Sequence, residues 1–397
     1  MNRSLLLLAG LLVLSLRAAA GEVLTGIDVL ERAGFESLAG QRVGLITNHT
    51  GLARDGRSTA AILRATPRVQ LVRLFSPEHG PRGQLDEATI GDSIDPATGI
   101  PVVSLYGEHR RPTADMLEGL DTLVFDIQDI GTRFYTYIST MGEAMVAAAG
   151  HGQRFVVLDR PNPINGVDVA GPVLDDGKQS FVGFHTLPVR HGLTIGELAL
   201  LFRAELGLDL DLHVVRIAGW RRADWFDETG LAWVDPSPNM RSLAAATLYP
   251  GIGLLETTNM SVGRGTATPF ELIGAPWLDA DEFAASLEEL ALPGIRFAPV
   301  HFTPDASTFA GERCHGVRFT LTDRDRFEPV RTGLAIATLL VRDYREHWQT
   351  DRYIRLLGNE AALAALLAGD DVAGIRQTYE EGLAAFRQRR ATYLLYD

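Results

Sequence analysis

The sequence predicts an α/β fold, with a Rossmann-like parallel sheet in its first half and a smaller α+β domain in its second. Five runs of strand length, RVGLIT (42–47), VQLVRLF (69–75), IPVVSL (100–105), TLVFDI (122–127) and RFVVLD (154–159), read as apolar on both faces, as strands of a sheet covered on both sides must be. Helical stretches separate them, and strand, helix, strand in repetition implies right-handed crossovers and a parallel sheet. Each run also ends in a small cluster: Asn48-His49-Thr50-Gly51, Ser76-Pro77-Glu78-His79-Gly80, Tyr106-Gly107-Glu108-His109, Gln128-Asp129-Ile130-Gly131 and Arg160-Pro161-Asn162-Pro163. Ligands of open parallel sheets bind outside the carboxyl ends of the strands, so the five clusters are expected to converge on one site. That convergence suggests an enzyme.

Residues 1–20 stand apart from the fold. Arg3, an apolar run over 5–16 and the small triplet Ala18-Ala19-Ala20 read as a secretory signal. The run is shorter than the roughly 20 apolar residues a bilayer span needs. The chain is therefore expected to be exported, periplasmic or secreted, with no stable membrane insertion after cleavage. No cysteine follows the signal, so a lipid anchor is not expected. Removing these residues takes away Arg3 and Arg17 and no acid, moving the net charge from −13 to −15. So acidic a chain lacks the basic footprint of a nucleic-acid binder. Its single cysteine, Cys314, cannot form an internal disulfide, so stability must come from the apolar core. At 397 residues and 46% hydrophobic content that core can be large, and the length favours two domains.

Taking the elements in order, Ser58 caps a helix through Thr59, Ala60, Ile62 and Leu63, ahead of the second strand. Thr113 caps a turn carrying Met116 and Leu117; a helix over 137–149 precedes the fifth strand; and Thr194 caps a helix over 197–206, before a strand at 213–217. Near residue 240 the pattern changes, where Pro236, Pro238, Pro250, Gly251 and Gly253 punctuate the chain and read as a domain junction. The expected division is 21–245 and 246–397. The second part shows a helix at 281–290, a strand at 316–322, and helices at 330–347 and near the C-terminus.

Glu78 leaves a strand between Pro77 and His79, with Gly80 and Gly83 letting the backbone approach a ligand. A strand-end carboxyl in a partly desolvated cleft suits general-acid work; the competing account is a helix cap or a pair with Arg82. Asp126 and Asp129 lie three apart, the first inside an apolar strand, where a charge must be paired or poised for chemistry. The plainer reading of Asp126 is a buried acceptor of backbone N–H groups. Downstream, Arg133 either pairs with Asp126 or grips an anionic group, while Tyr135 and Tyr137 either stack on a sugar ring or pack in the core. Prolines on both sides of Asn162 stiffen the loop that carries Arg160 and Asn162, which suits a substrate clamp or simply ends the strand. The polar, glycine-rich stretch from Glu256 to Thr266 lies where two domains meet, and Arg264, between glycines, is expected to be exposed and able to bind a carboxylate.

Several signatures fail. Gly251-Ile252-Gly253 lacks the third glycine and preceding strand of a dinucleotide fingerprint. There is no P-loop and no HExxH pair, and Asn259 stands where a serine nucleophile elbow wants glycine. No cofactor or metal is expected.

Thr47-Asn48-His49-Thr50-Gly51, Ser76-Pro77-Glu78-His79-Gly80, Asp126-Ile127-Gln128-Asp129-Ile130-Gly131, Asp159-Arg160-Pro161-Asn162-Pro163, Ser237-Pro238-Asn239-Met240, and Glu256-Thr257-Thr258-Asn259 through Gly263-Arg264-Gly265-Thr266 occur in this order. Together they resemble the exo-β-N-acetylmuramidase family NamZ, over nearly the whole chain after Gly26. The resemblance implies a cleft between the two domains and removal of N-acetylmuramic acid from non-reducing ends of peptidoglycan fragments. It also makes Glu78 the catalytic carboxylate. His79 would tune that acid, and Asp126 or Asp129 would be its partner, unless the 2-acetamido sugar supplies its own nucleophile. Asn48, His49, Asn162, Asn239, Glu256 and Asn259 are candidates for holding the sugar, and Arg133, Arg160 and Arg264 for meeting its lactyl carboxylate. Two other classes compete: a periplasmic solute-binding protein, and a metal hydrolase built on His49, Glu78, His79 and Asp126.

Overall fold

In a computed structural model of the chain, residues 22–83 and 91–397 are described; the signal expected over residues 1–20 lies outside the described residues. Hydroxyl caps start the helices where the sequence places them. Ser58 Oγ accepts from the Ala61 amide at 3.2 Å and Thr113 Oγ1 from Met116 at 3.4 Å. Thr194 and Glu197 cap each other reciprocally at 3.2 and 3.0 Å. The first half runs α1 (Gly26–Arg32), β1 (Arg42–Thr47), α2 (Thr59–Ala65), β2 (Gln70–Ser76), β3 (Ser93–Ile94), β4 (Pro101–Ser104), α3 (Ala114–Leu117), β5 (Thr122–Asp126), α4 (Tyr137–His151) and β6 (Arg154–Leu158). A hairpin of β7 (Ala170–Val173) and β8 (Pro188–Arg190), α5 (Ile195–Glu205) and β9 (Leu212–Val215) complete it.

These strands form a sheet in the order β3-β4-β2-β1-β5-β6-β9, parallel except for β3. The chain travels outward from β1 to β2 and β4, then returns to the other side of β1 for β5, β6 and β9. Strand order therefore reverses between β1 and β5, opening a crevice at their carboxyl ends. Val43, Leu45, Val124 and Val156 face α1 and α2 in one apolar cluster, whereas Ile46, Phe75, Phe125 and Val157 face α4 and α5 in another. The second cluster continues without a break into the C-terminal half, so one core joins the two halves and sets the geometry of the seam between them.

In that half, α6 (Leu243–Ile252) leads to β10 (Leu272–Ala275), α7 (Ala280–Glu289), β11 (Ile295–Phe302), β12 (Cys314–Leu321), α8 (Pro329–Asp343) and α9 (Ile354–Leu357). The helices α10 (Glu360–Ala368), α11 (Val372–Gln377) and α12 (Glu380–Arg390) close the chain. The strand expected at 316–322 is the centre of an antiparallel sheet, β10-β12-β11. Its partners escaped the sequence reading because β10 has only four residues and β11 carries Pro299, which is tolerated because β11 is an edge strand.

The punctuated junction holds a helix. Pro250 lies inside α6, and its neighbour Gly251 is there for packing: a Cβ on Gly251 would fall 2.0 Å from the Pro329 carbonyl oxygen, and one on Gly333 would fall 2.5 Å from that of Gly251. The glycines let α6 and α8 touch backbone to backbone. The chain end then returns to the first sheet. Tyr396 Oη donates to Asp159 Oδ2 at 2.5 Å, the Leu395 amide to Glu197 Oε1 at 2.8 Å, and the Arg222 amide to the Asp397 carbonyl at 2.8 Å.

Gly251→Ala is expected to destabilise the fold by about 1–3 kcal/mol through overpacking, measured by urea unfolding. Burial raises the pKa of Asp159 to about 6, from 3.8, despite hydrogen bonds from Tyr396, Gly196 and Thr194. A carboxyl with a raised folded pKa binds its proton more tightly in the native state, so its contribution is present below the unfolded pKa and is lost as pH rises to the folded one. The stability difference between wild type and Asp159→Asn, followed by urea midpoints, should therefore fall as pH is raised from about 4 to about 6.

Candidate active site

Strand β2 delivers Ser76-Pro77-Glu78-His79-Gly80 into a tight turn closed by the Gly80 amide on the Pro77 carbonyl at 3.1 Å. His79 adopts φ +69° and Gly80 φ +72°. A left-handed non-glycine residue is held only where its surroundings demand it, and such residues gather at functional sites. Opposite the turn lies the start of α4, where the Thr136 hydroxyl donates a short hydrogen bond to Glu78 Oε2. Glu78 Oε1 has no hydrogen-bond partner among the described residues.

Glu78 and His79 open onto a cleft of about 230 Å³ between the two halves. The first half contributes Tyr135, Thr136 and Tyr137, the second Tyr249, Glu256 and Arg264. Tyr135 and Tyr137 meet edge to face at 5.0 Å, and Tyr249 meets Phe270 at 4.7 Å, making a stiff aromatic wall. Tyr137 Oη donates to the Pro236 carbonyl at 2.6 Å. Burial raises the pKa of Tyr137 and Tyr249 well above the phenol range, so both stay protonated. Tyr249 donates to Glu256 Oε2 at 3.0 Å, and Arg264 Nε donates to Glu256 Oε1 at 2.7 Å.

A larger cavity of about 540 Å³ opens elsewhere between the halves, lined by Arg190, Arg326, Arg331, Arg376 and Arg387 against Asp168, Asp325 and Glu328. It contains none of the strand-tip motif residues.

Of the expected site residues, the structure gathers Glu78, His79, Tyr135, Tyr137, Glu256 and Arg264 around the cleft. Others it engages differently. Asp126 is wholly buried, bonded by Arg160 Nε at 2.5 Å and Nη2 at 3.0 Å and by the Thr59 hydroxyl. Neither Asp126 nor Arg160 is therefore available as a catalytic partner or a substrate clamp, because separating them would leave a buried charge unpaired. Asp129 braces its own turn, accepting from the Gly131 amide at 2.7 Å with His191 Nε2 at 3.5 Å. Asn162 holds the Leu193 carbonyl and the Ile164 amide, and packs where a Cβ on Gly131 would stand.

Arg133 neither pairs with Asp126 nor faces a ligand. It is fully buried, with its guanidinium on the carbonyls of Pro172, Leu187, Leu356 and Leu357 at 2.5–3.0 Å. Arg264, expected to be exposed, is 28% exposed and paired to Glu256.

Asn48 accepts from the Thr50 amide and hydroxyl; His49 contacts the Asp235 carbonyl at 2.7 Å and fills the space beside Gly83, where a Cβ would sit 1.8 Å from its ring. Burial, helped by the charge of His79, lowers the His49 pKa. Asn239 is buried beside Ser237 and Met240, which line the cleft. Asn259 ties the His347 carbonyl and Gln349 amide at 2.8 Å each. Cleft residues that the sequence does not single out include Thr136, hidden in the Gly131–Tyr137 run, Tyr249, inside the punctuated junction, and Arg355, which sits in a helical stretch with no motif around it. Among the described residues no group of three or more His, Cys, Asp or Glu side chains could hold a metal ion, and no helix is long and apolar enough to cross a membrane.

Profiles of the N-terminal and C-terminal parts of the exo-β-N-acetylmuramidase NamZ family match residues 43–244 and 247–396. The chain belongs to the NamZ family. It is accordingly an enzyme, a glycoside hydrolase. It is similar to the peptidoglycan β-N-acetylmuramidase NamZ of Bacillus subtilis (strain 168), 46% identical over 379 residues that span 94% of this chain and 92% of the relative. Two crystal structures of DUF1343-family proteins from Bacteroides fragilis NCTC 9343 share the fold. One has a TM-score of 0.88 at 38% identity, covering 95% of this chain and 99% of that one; the other has a TM-score of 0.76 at 30% identity, covering 94% and 99%. In this NamZ-family chain the two-domain α/β layout is thus that of a common architecture.

Asp126→Ala is expected to cost about 3–5 kcal/mol by stranding the Arg160 charge. In thermal melts the loss should appear as reduced stability, while the folded fraction at low temperature keeps its turnover.

Proposed function

We propose that this NamZ-family enzyme releases N-acetylmuramic acid from the non-reducing ends of peptidoglycan fragments, with Glu78 as the general acid. The activity named for the Bacillus subtilis relative supports the substrate. One observation carries the role of Glu78: it is a half-buried carboxyl at the tip of β2, anchored through one oxygen by Thr136, with the other unengaged in the cleft.

Cleaving a glycoside requires a proton on the leaving oxygen and an electron pair at the anomeric carbon. Glu78 delivers the proton from Oε1 as the C–O bond breaks, and its orientation is set by Thr136. Asp126, held by Arg160 and Thr59, does not take part. Among the described lining residues the second carboxylate is Glu256, which accepts from Arg264 and Tyr249 and so is engaged within the cleft wall. The electron pair comes from the sugar's own 2-acetamido oxygen, which bonds to the anomeric carbon as the C–O bond breaks; water then opens that ring and gives its proton to the Glu78 carboxylate left by the first step. Tyr135, Tyr137 and Tyr249 offer the flat apolar surfaces that sugar faces pack against. We also assign this work to a location outside the cytoplasm, on the strength of Arg3, the apolar run over 5–16 and the alanine triplet at 18–20.

Glu78→Gln keeps the shape and the Thr136 bond but removes the proton. Release of N-acetylmuramic acid from a chromogenic muramide should be abolished while calorimetry still detects sugar binding; turnover above about a tenth of wild type would place the acid elsewhere.

A further inference from the structure

Among the described residues that line the cleft, the acidic and basic side chains besides His79 are Glu78, Glu256, Arg264 and Arg355. Arg264 and Glu256 lie 2.7 Å apart and neutralise each other. Arg133 and Arg160, the other cations expected to meet the substrate, are sealed against carbonyls and Asp126. Arg355 differs from all of them. It is exposed, lines the cleft, and its side chain makes no hydrogen bond or ion pair with any described residue. Its backbone is nevertheless held: α9 is anchored by the Arg133 guanidinium on the carbonyls of Leu356 and Leu357, at 2.5 and 3.0 Å, and Leu356 itself lines the cleft.

We infer that Arg355 is the specificity-determining cation of this cleft, donating to the lactyl carboxylate that distinguishes N-acetylmuramic acid from N-acetylglucosamine. The inference rests on the muramidase reading above and deepens it. A substrate docked with Glu78 protonated brings one negative charge into the cleft, and among the described lining residues Arg355 is the cation whose guanidinium no carboxylate already engages. A planar fork of N–H donors fits a carboxylate in a charge-assisted two-point contact, whereas a neutral amide or hydroxyl oxygen offers a weaker, single-point acceptor. Arg133 then serves as a positioning residue, through the helix that carries Arg355.

The test compares wild type, Arg355→Met, Arg355→Lys and Glu78→Gln on two chromogenic glycosides, one of N-acetylmuramic acid and one with its lactyl carboxyl capped as the methylamide. Wild type should prefer the free acid. Arg355→Met should lower kcat/KM on the acid on the order of 100-fold, mainly through KM, and change the capped substrate less than about threefold, with Arg355→Lys recovering part of the loss. Equal losses on both substrates, an unchanged kcat/KM on the acid, or a wild type indifferent to the cap would each overturn the assignment. Calorimetry with free N-acetylmuramic acid against N-acetylglucosamine reads the same discrimination without turnover. If wild type or Glu78→Gln contradicts the proposed chemistry, a preference for the acid that vanishes in Arg355→Met still upholds the role of Arg355, and its persistence in that variant refutes it.

Discussion

The guanidinium of Arg133 is the interaction on which the geometry of the site depends. It leaves the loop between β5 and α4, is wholly buried, and bonds carbonyls of Pro172 and Leu187 in the first half and of Leu356 and Leu357 in the second. A buried cation without a carboxylate is expensive, and here burial pushes its pKa down to about 9. Four carbonyl dipoles offset that cost, and the charge persists at neutral pH. Because the same loop continues into Tyr135, Thr136 and Tyr137, fixing Arg133 fixes the floor of the cleft and its far wall together.

A second polar assembly stiffens the crevice. Asp126 and Arg160 join the ends of β5 and β6, Thr47 Oγ1 donates to the Asp126 carbonyl at 2.8 Å, and Gln128 Nε2 bridges the carbonyls of Asp129 and Pro161 at 2.8 Å each. Strand-tip residues therefore divide between two tasks. Those beyond β1, β5 and β6 bond one another and hold the tips in register; the tip of β2 alone projects its carboxyl into the cleft. Packing of this kind holds the half-buried Glu78 carboxyl in a fixed setting at the cleft. The continuous apolar core beneath, together with the glycine contact of α6 on α8 and the return of Tyr396 to Asp159, keeps the second half from drifting away from Glu78.

Much of this was legible in the sequence, because the signals are local. Apolar runs bounded by turn residues marked the five strands, Ser58, Thr113 and Thr194 marked helix starts through bonds to amides three residues on, and Pro77-Glu78-His79-Gly80 marked a strand-tip carboxyl that lines the cleft. The errors are equally physical. Pro250 and Gly251 look like breakers in one dimension, yet the glycine exists to let a distant helix touch. Asp126, Arg133 and Arg160 carry charge, which reads as chemistry until a partner far along the chain, or a set of carbonyls, is seen to consume it.

Sequence alone determined that a parallel sheet would bring several polar tips to one edge and that Glu78 would stand among them, since strand period, turn chemistry and motif order act over a few residues. Which of those tips face a ligand and which face each other was decided only by tertiary structure. Pairing between Asp126 and Arg160 spans 34 positions, and the bond from Arg133 to Leu357 spans 224. Contacts at such separation depend on how the halves close around a shared core, and no local pattern encodes the partner. The same closure brings Arg355 and Glu78 to one cleft, along the seam that the two halves make only when packed.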